Sequence, residues 1–219
     1  MAVLQRSMDG EPPLSCALVE FESSRGADQK PLTPRAVICA RQWSDFGPRL
    51  AYHRRLAVLV GSSMVRHVTL PRSETWCLPG ARVEDVQTRV PEVVEQHPTA
   101  SAIVVHVGSN DIRLQQSEKL KSDFTSLIQT ILATGKKCIV SGPIPSACFS
   151  DMQFSRIRQL HAWLVGYCSR ERVPFVDNFG SFWRRRSLFA RDGRHLNRAG
   201  ASLLASNLEL ALEAHHTPR

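Results

Sequence analysis

Apolar residues fall into two kinds of run along this chain. The first kind is short and continuous: Leu56-Ala57-Val58-Leu59-Val60, Ala102-Ile103-Val104-Val105-His106-Val107 and Cys138-Ile139-Val140. Such runs read as strands buried on both faces. Glu74 to Pro79 predicts a further short strand ending at Pro79-Gly80, and Val173-Pro174-Phe175-Val176 predicts another. The second kind is periodic. Val83, Val86 and Val90 predict a helix that Pro91 restarts toward Val94. Leu120, Phe124, Leu127, Ile128, Ile131 and Leu132 share one face of a helix over 117–134, which Gly135 stops. Phe154, Ile157, Leu160, Leu164 and Cys168 mark a third helix. Leu203, Leu204, Leu208 and Leu212 mark the last, starting near Asn197. Met64 to Val68, after two serines, opens a short helix. A loop with Trp183 and Arg184-Arg185-Arg186 precedes the final helix.

Strands that alternate with helices predict an α/β protein, a parallel sheet with helices on both faces and right-handed crossovers. One domain over 52–214 holds the whole pattern. Residues 1–51 lack it. Glu11-Pro12-Pro13, the Ser/Gly/Asp-rich 23–29, Pro31 and Pro34 break any periodicity, so this part reads as an irregular extension. Residues 215–219 read as a polar tail.

Composition narrows the class. At 42% hydrophobic and 22% charged, the 219 residues suit a soluble globular protein. No apolar run approaches the roughly 18 to 20 residues of a membrane span. The first residues lack the apolar core of a secretory signal, which favours a cytoplasmic protein, with the nucleus as the other compartment. Cys16, Cys39, Cys77, Cys138, Cys148 and Cys168 are scattered, without zinc-type spacing. They read as reduced, with most of them buried as small hydrophobes. The net charge of +8 has two readings. One is a surface for RNA or anionic lipid; the other is a solvated arginine-rich face.

The candidate chemistry lies at the predicted strand ends. Ser62-Ser63, Gly80, Gly108-Ser109-Asn110-Asp111 and Asp192-Gly193-Arg194-His195 occupy loops that a parallel sheet gathers along one edge. Asp192 and His195, three apart, can share one side of a turn. The carboxylate would accept a hydrogen bond from Nδ1–H, leaving Nε2 to take a proton from a serine. A serine hydroxyl needs such a base to become a useful nucleophile. The backbone N–H groups of Ser63 and Gly80 and the amide of Asn110 are suitable donors for the resulting oxyanion. The Gly-x-Ser-x-Gly elbow of α/β-hydrolases is absent. His106, mid-strand, reads as a hydrogen-bonded core histidine. Arg184, Arg185, Arg186, Arg191, Arg194 and Arg198 form a basic flank.

These blocks resemble the SGNH (GDSL-type) hydrolases over about residues 55–212. Val140 to Pro145, Phe175 to Asn178, Phe182-Trp183 and Leu188 to Asn197 are similar to the esterase domain in the first open-reading-frame protein of LINE-type (non-LTR) retrotransposons. The resemblance implies a three-layer α/β/α sandwich with a flavodoxin-like sheet. It also implies hydrolysis of short acyl or acetyl carboxylic esters without metal or cofactor. By motif, Ser63 is the nucleophile, His195 the base and Asp192 its orienter, with Ser63, Gly80 and Asn110 as the oxyanion hole. One position departs: the first block normally reads Gly-Asp-Ser, and Ser62 replaces the aspartate. Ser62 is thereby the fallback nucleophile. The alternative function is a weakly active or inactive retroelement-derived module that binds RNA, anionic lipid or protein.

Overall fold

The computed structural model describes residues 57–216. The extension predicted over 1–51, Leu56, Cys16, Cys39 and residues 217–219 lie outside the described residues. Five parallel strands form one sheet: β1 (Ala57–Gly61), β2 (Ser73–Cys77), β3 (Ala102–His106), β4 (Lys137–Ser141) and β5 (Phe175–Val176). Their order is β2-β1-β3-β4-β5. β1 and β3 are buried at every position, as continuous apolar runs require when both faces are covered.

Side chains alternate between two cores. Val58, Val60, Ile103, Val105, Cys138 and Val140 face α1 (Val83–Gln96), α2 (Ser117–Ala133) and α3 (Asp151–Glu171). Ala57, Leu59, Ala102, Val104 and Ile139 face the other way. There they meet Met64, Val65, Phe182, Phe189 and the Leu204, Leu208 and Leu212 stripe of α5 (Arg198–His216). Phe182 ends a four-residue helix, α4 (Phe179–Phe182). The result is an α/β/α sandwich of flavodoxin-like strand order.

That order explains where a site must lie. The chain steps from β1 out to β2, then crosses back over β1 to β3 and continues outward. Right-handed crossovers then place the first connection on one face and the next three on the other. A crevice opens where the direction reverses, beyond the carboxyl ends of β1 and β3.

Several elements differ from the sequence pattern. The helix expected from Met64 to Val68 is a 3-10 turn of three residues, Ser63–Val65. α1 runs through Pro91 rather than restarting there. Pro91 sits on the exposed side, and buried Val90 and Val93 hold the helix across the missing hydrogen bond. Leu132 is exposed, although the rest of the α2 stripe is buried. α5 continues to His216, past the predicted start of the tail. Of the four described cysteines, Cys138 and Cys168 are buried, and burial pushes their thiols up to about 12 and about 11. Cys148 is exposed and Cys77 intermediate, so burial covers only half of them.

Candidate active site

β1 delivers the two serines. Gly61 ends the strand against the backbone of β3: a Cβ there would stand 2.5 Å from the His106 carbonyl oxygen. Only glycine permits that approach. The Ser62 N–H donates to the same carbonyl at 3.2 Å, and the Val65 N–H donates to the Ser62 carbonyl at 3.1 Å. Ser62 is thereby buried and Ser63 turned toward the crevice, partly exposed.

The imidazole and carboxylate come from the far end of the chain. Asp192 Oδ1 accepts from the backbone N–H groups of Arg194 at 2.9 Å and His195 at 3.1 Å. Its Oδ2 meets His195 Nδ1 at 2.5 Å. One carboxylate oxygen shapes the turn and the other holds the ring. The hydrogen bond from His195 keeps the Asp192 carboxyl below its ordinary range. Since the carboxylate only accepts, Nδ1 carries the ring proton and Nε2 is left as an acceptor. His195 Nε2 lies 3.1 Å from Ser63 Oγ, across 132 positions of sequence. Ser62 has no such contact with the imidazole.

The three proposed oxyanion donors are arranged as follows. Gly80 is exposed, in the left-handed region at φ +79°. Among the described residues, neither the Ser63 nor the Gly80 N–H donates to a backbone carbonyl. Asn110 Nδ2 donates one hydrogen to the Ala81 carbonyl at 2.9 Å and keeps a second. Its neighbour Asp111 accepts the Val83 N–H at 3.2 Å. Asn110 and Asp111 therefore tie the loop after β3 to the segment that follows Gly80. Burial raises the Asp111 carboxyl to about 6. Ser62, Ser63, Asn110, Ser146, Phe149 and Arg194 line one groove.

Other predicted residues have structural places. His106, at the end of β3, is buried, with Nδ1 2.8 Å from Ser141 Oγ. Burial lowers its pKa to about 4, so the ring is neutral. His97 accepts the Trp76 indole N–H at 2.9 Å. Among the described residues no three His, Cys, Asp or Glu side chains converge on a metal site. No described helix is long and apolar enough to cross a membrane.

Three supports escaped the sequence reading. Ser146, after β4, donates to the Arg194 carbonyl at 3.4 Å. Asn178 is wholly buried; it donates to Ser141 Oγ at 2.9 Å and accepts from Asn207 at 3.0 Å. Asn197 donates to the Ser187 and Phe189 carbonyls at 2.6 and 3.1 Å, and accepts the Gly200 N–H at 3.0 Å. An asparagine just before a helix was a usable cap signal. For Ser146 the signal was its place in a strand-end loop. The Asn178–Asn207 pairing left no local trace.

Residues 38–203 match the family model described as GDSL-like lipase/acylhydrolase. The chain is 42% identical to the esterase domain of the ORF1 protein from the zebrafish ZfL2-1 retrotransposon. That match covers 72% of this chain and 98% of the domain, with a TM-score of 0.44. A GDSL-like lipase from Bacteroides thetaiotaomicron superposes with TM-score 0.65 at 18% identity, covering 74% of this chain and 89% of that one. A lipase/acylhydrolase from Enterococcus faecalis gives TM-score 0.60 at 14% identity, covering 75% and 98%. These last two likenesses bear on the fold alone. No curated protein matches the chain significantly.

Proposed function

The chain belongs to the GDSL-like lipase/acylhydrolase family, and on that premise we propose that it is a serine esterase cleaving short acyl or acetyl carboxylic esters. The observation that carries this reading is the hydrogen-bonded line Asp192–His195–Ser63, at 2.5 and 3.1 Å. His195 Nε2 takes the Ser63 hydroxyl proton as Oγ attacks the ester carbonyl. The carbonyl oxygen becomes an oxyanion facing the Ser63 and Gly80 N–H groups and the second amide hydrogen of Asn110. His195 then gives its proton to the departing alkoxide, leaving the acyl group on Ser63. Water, deprotonated by the same ring, releases the acid. Asp192 stabilises the imidazolium in both halves. The missing aspartate of the first block does not enter these steps, because the backbone bonds of Ser62 hold the turn.

A fluorophosphonate probe should label the protein at Ser63 and lose its target in Ser63→Ala. Turnover of p-nitrophenyl acetate should fall by several powers of ten in that variant. Unchanged turnover would reject the assignment.

The second reading is a weakly active or inactive module of retrotransposon origin that holds RNA, anionic lipid or protein. The net charge of +8 and the 42% identity to a retrotransposon domain favour it. The aligned acid, base and hydroxyl favour the esterase. Absent labelling, together with RNA or vesicle binding that falls steeply with salt, would reverse that order.

A further inference from the structure

Beside the groove at Ser63 lies a larger cavity of about 440 Å³, between the loop after β4, the start of α3 and the segment 182–189. The two share Ser146 and Phe149. A molecule in the cavity would rest on walls that also border the groove at Ser63.

The floor is aromatic. Phe154 and Trp183 stand with ring centroids 4.3 Å apart, and Phe182 and Phe189 are buried beneath. The rim is cationic. Arg184, Arg185 and Arg186 follow one another and are all exposed. Among the described residues no carboxylate pairs with them. Asp151 is the carboxylate on the same wall. Arg186 is already engaged: it donates to the Arg191 carbonyl at 2.9 Å and lies against Gly193 in the turn that holds Asp192. Arg184 sits 5.4 Å from the Trp183 ring centre and adopts φ +56°.

Arg184 and Arg185 make no ion pair among the described residues, and their planar guanidinium groups suit bidentate pairing with a phosphate. The geometry points to this cavity as the binding site for the alcohol part of the ester. That part carries a phosphate held by Arg184 and Arg185, and an apolar or aromatic body laid on Phe154 and Trp183. The acyl group being short, the phosphate belongs to the alcohol. Turnover of such a substrate rests on the esterase reading of Ser63; the binding does not.

Two measurements separate these. Phenyl phosphate should bind the Ser63→Ala protein in a calorimeter, and Arg184→Ala/Arg185→Ala should weaken that binding about tenfold or more. Separately, kcat/KM for 4-acetoxyphenyl phosphate should exceed that for 4-methylphenyl acetate by about tenfold. The double arginine variant should remove the preference, lowering kcat/KM for the phosphate ester about tenfold relative to that for the neutral ester. A third arm compares binding to phosphatidylcholine vesicles with and without phosphatidic acid. Arginine-dependent binding of soluble phenyl phosphate places the phosphate in the cavity. Arginine-dependence confined to the charged vesicles overturns the site, since surface attraction then suffices. Turnover of the neutral ester with no phosphate binding also overturns it and spares the esterase. Phosphate binding with no turnover of either ester overturns the esterase reading and keeps the site.

Discussion

Ser63 and Asn110 hang from the ends of β1 and β3, strands buried at every position. Asp192 and His195 come instead from a stretch, 177–197, whose regular structure is one four-residue helix and one 3-10 turn. The first pair is placed by the sheet. Moving it means disturbing the packing of both cores. The second pair is placed by a few polar contacts: the Asp192 carboxylate on its own turn, Ala190 N–H to the His195 carbonyl at 2.8 Å, the single bridge between Phe189 and Leu196, and the Asn197 side chain. Damage to the packing that supports the sheet half should therefore appear as lost stability, and damage to the polar contacts that support the loop half as lost rate.

The most severe test is Ser63→Ala, with its loss of several powers of ten in p-nitrophenyl acetate turnover and no change in melting temperature. Next comes Asp192→Asn. The amide would present a donor to Nδ1 and favour the wrong tautomer, which costs about 10⁴ in a buried triad. Here both side chains are close to half exposed, at 40% and 48%, and water can replace part of the lost contact. We expect a fall of about 10²- to 10³-fold in kcat, measured on folded protein.

The two halves are contrasted directly by Asn197→Ala and Leu127→Ala. Asn197→Ala removes both clamp bonds and the cap of α5. It should cost about 1–2 kcal/mol in urea denaturation and lower kcat about tenfold. Leu127 is fully buried under the sheet in α2. Its truncation should cost about 2–5 kcal/mol while the folded fraction keeps its kcat. A rate loss in Leu127→Ala at full folding would erase the distinction.

A subtler test uses pH on the sheet half alone. His106 has its pKa lowered by burial from 6.5 to about 4. Its contribution is complete above pH 6.5 and is lost as pH falls toward 4. Asp111 has its pKa raised by burial from 3.8 to about 6. Its contribution is present below pH 4 and is lost as pH rises through 6. Between those limits the two oppose each other, each worth about 3 kcal/mol. Relative to the parent, Asp111→Asn should gain stability as pH rises from 4 to 7, and His106→Gln should lose it. Parallel denaturation curves for parent and variants across that range would show that neither group titrates as placed. The smallest effect is expected from Ser62→Ala. Its hydroxyl makes no bond to His195, so turnover should not change; a collapse would restore Ser62 as the nucleophile.

The contrast between the halves also explains what could be read in advance. Continuous runs such as Ala102 to Val107 announce strands covered on both sides, because only burial on two faces removes the need for alternation. The stripes of α2 and α3 announce one covered face each. Pairwise spacing is enough for such elements, since the forces that form them act over a few residues. The same holds for Asp192 and His195, whose bonds span three positions.

Other features needed the assembled molecule. Leu132 fits its stripe and is exposed, because the stripe is wider than the surface that covers it. Which of two adjacent serines meets the imidazole depends on the turn after Gly61, set by a carbonyl of β3. That Asn110 is pinned to Ala81, Ser146 to Arg194 and Asn178 to Asn207 follows from elements meeting across 29 to 48 positions. The sequence by itself determined the strands, the helices, the blocks and the order in which they follow. Tertiary structure alone decided which hydroxyl faces the base, what holds the loop of Asp192 and His195, and that three arginines border a cavity sharing Ser146 and Phe149 with the groove at the serine. Local pattern records a residue's neighbours within a turn or a strand. Long-range contacts are chosen by how whole faces pack, and no single stretch of the chain encodes that choice.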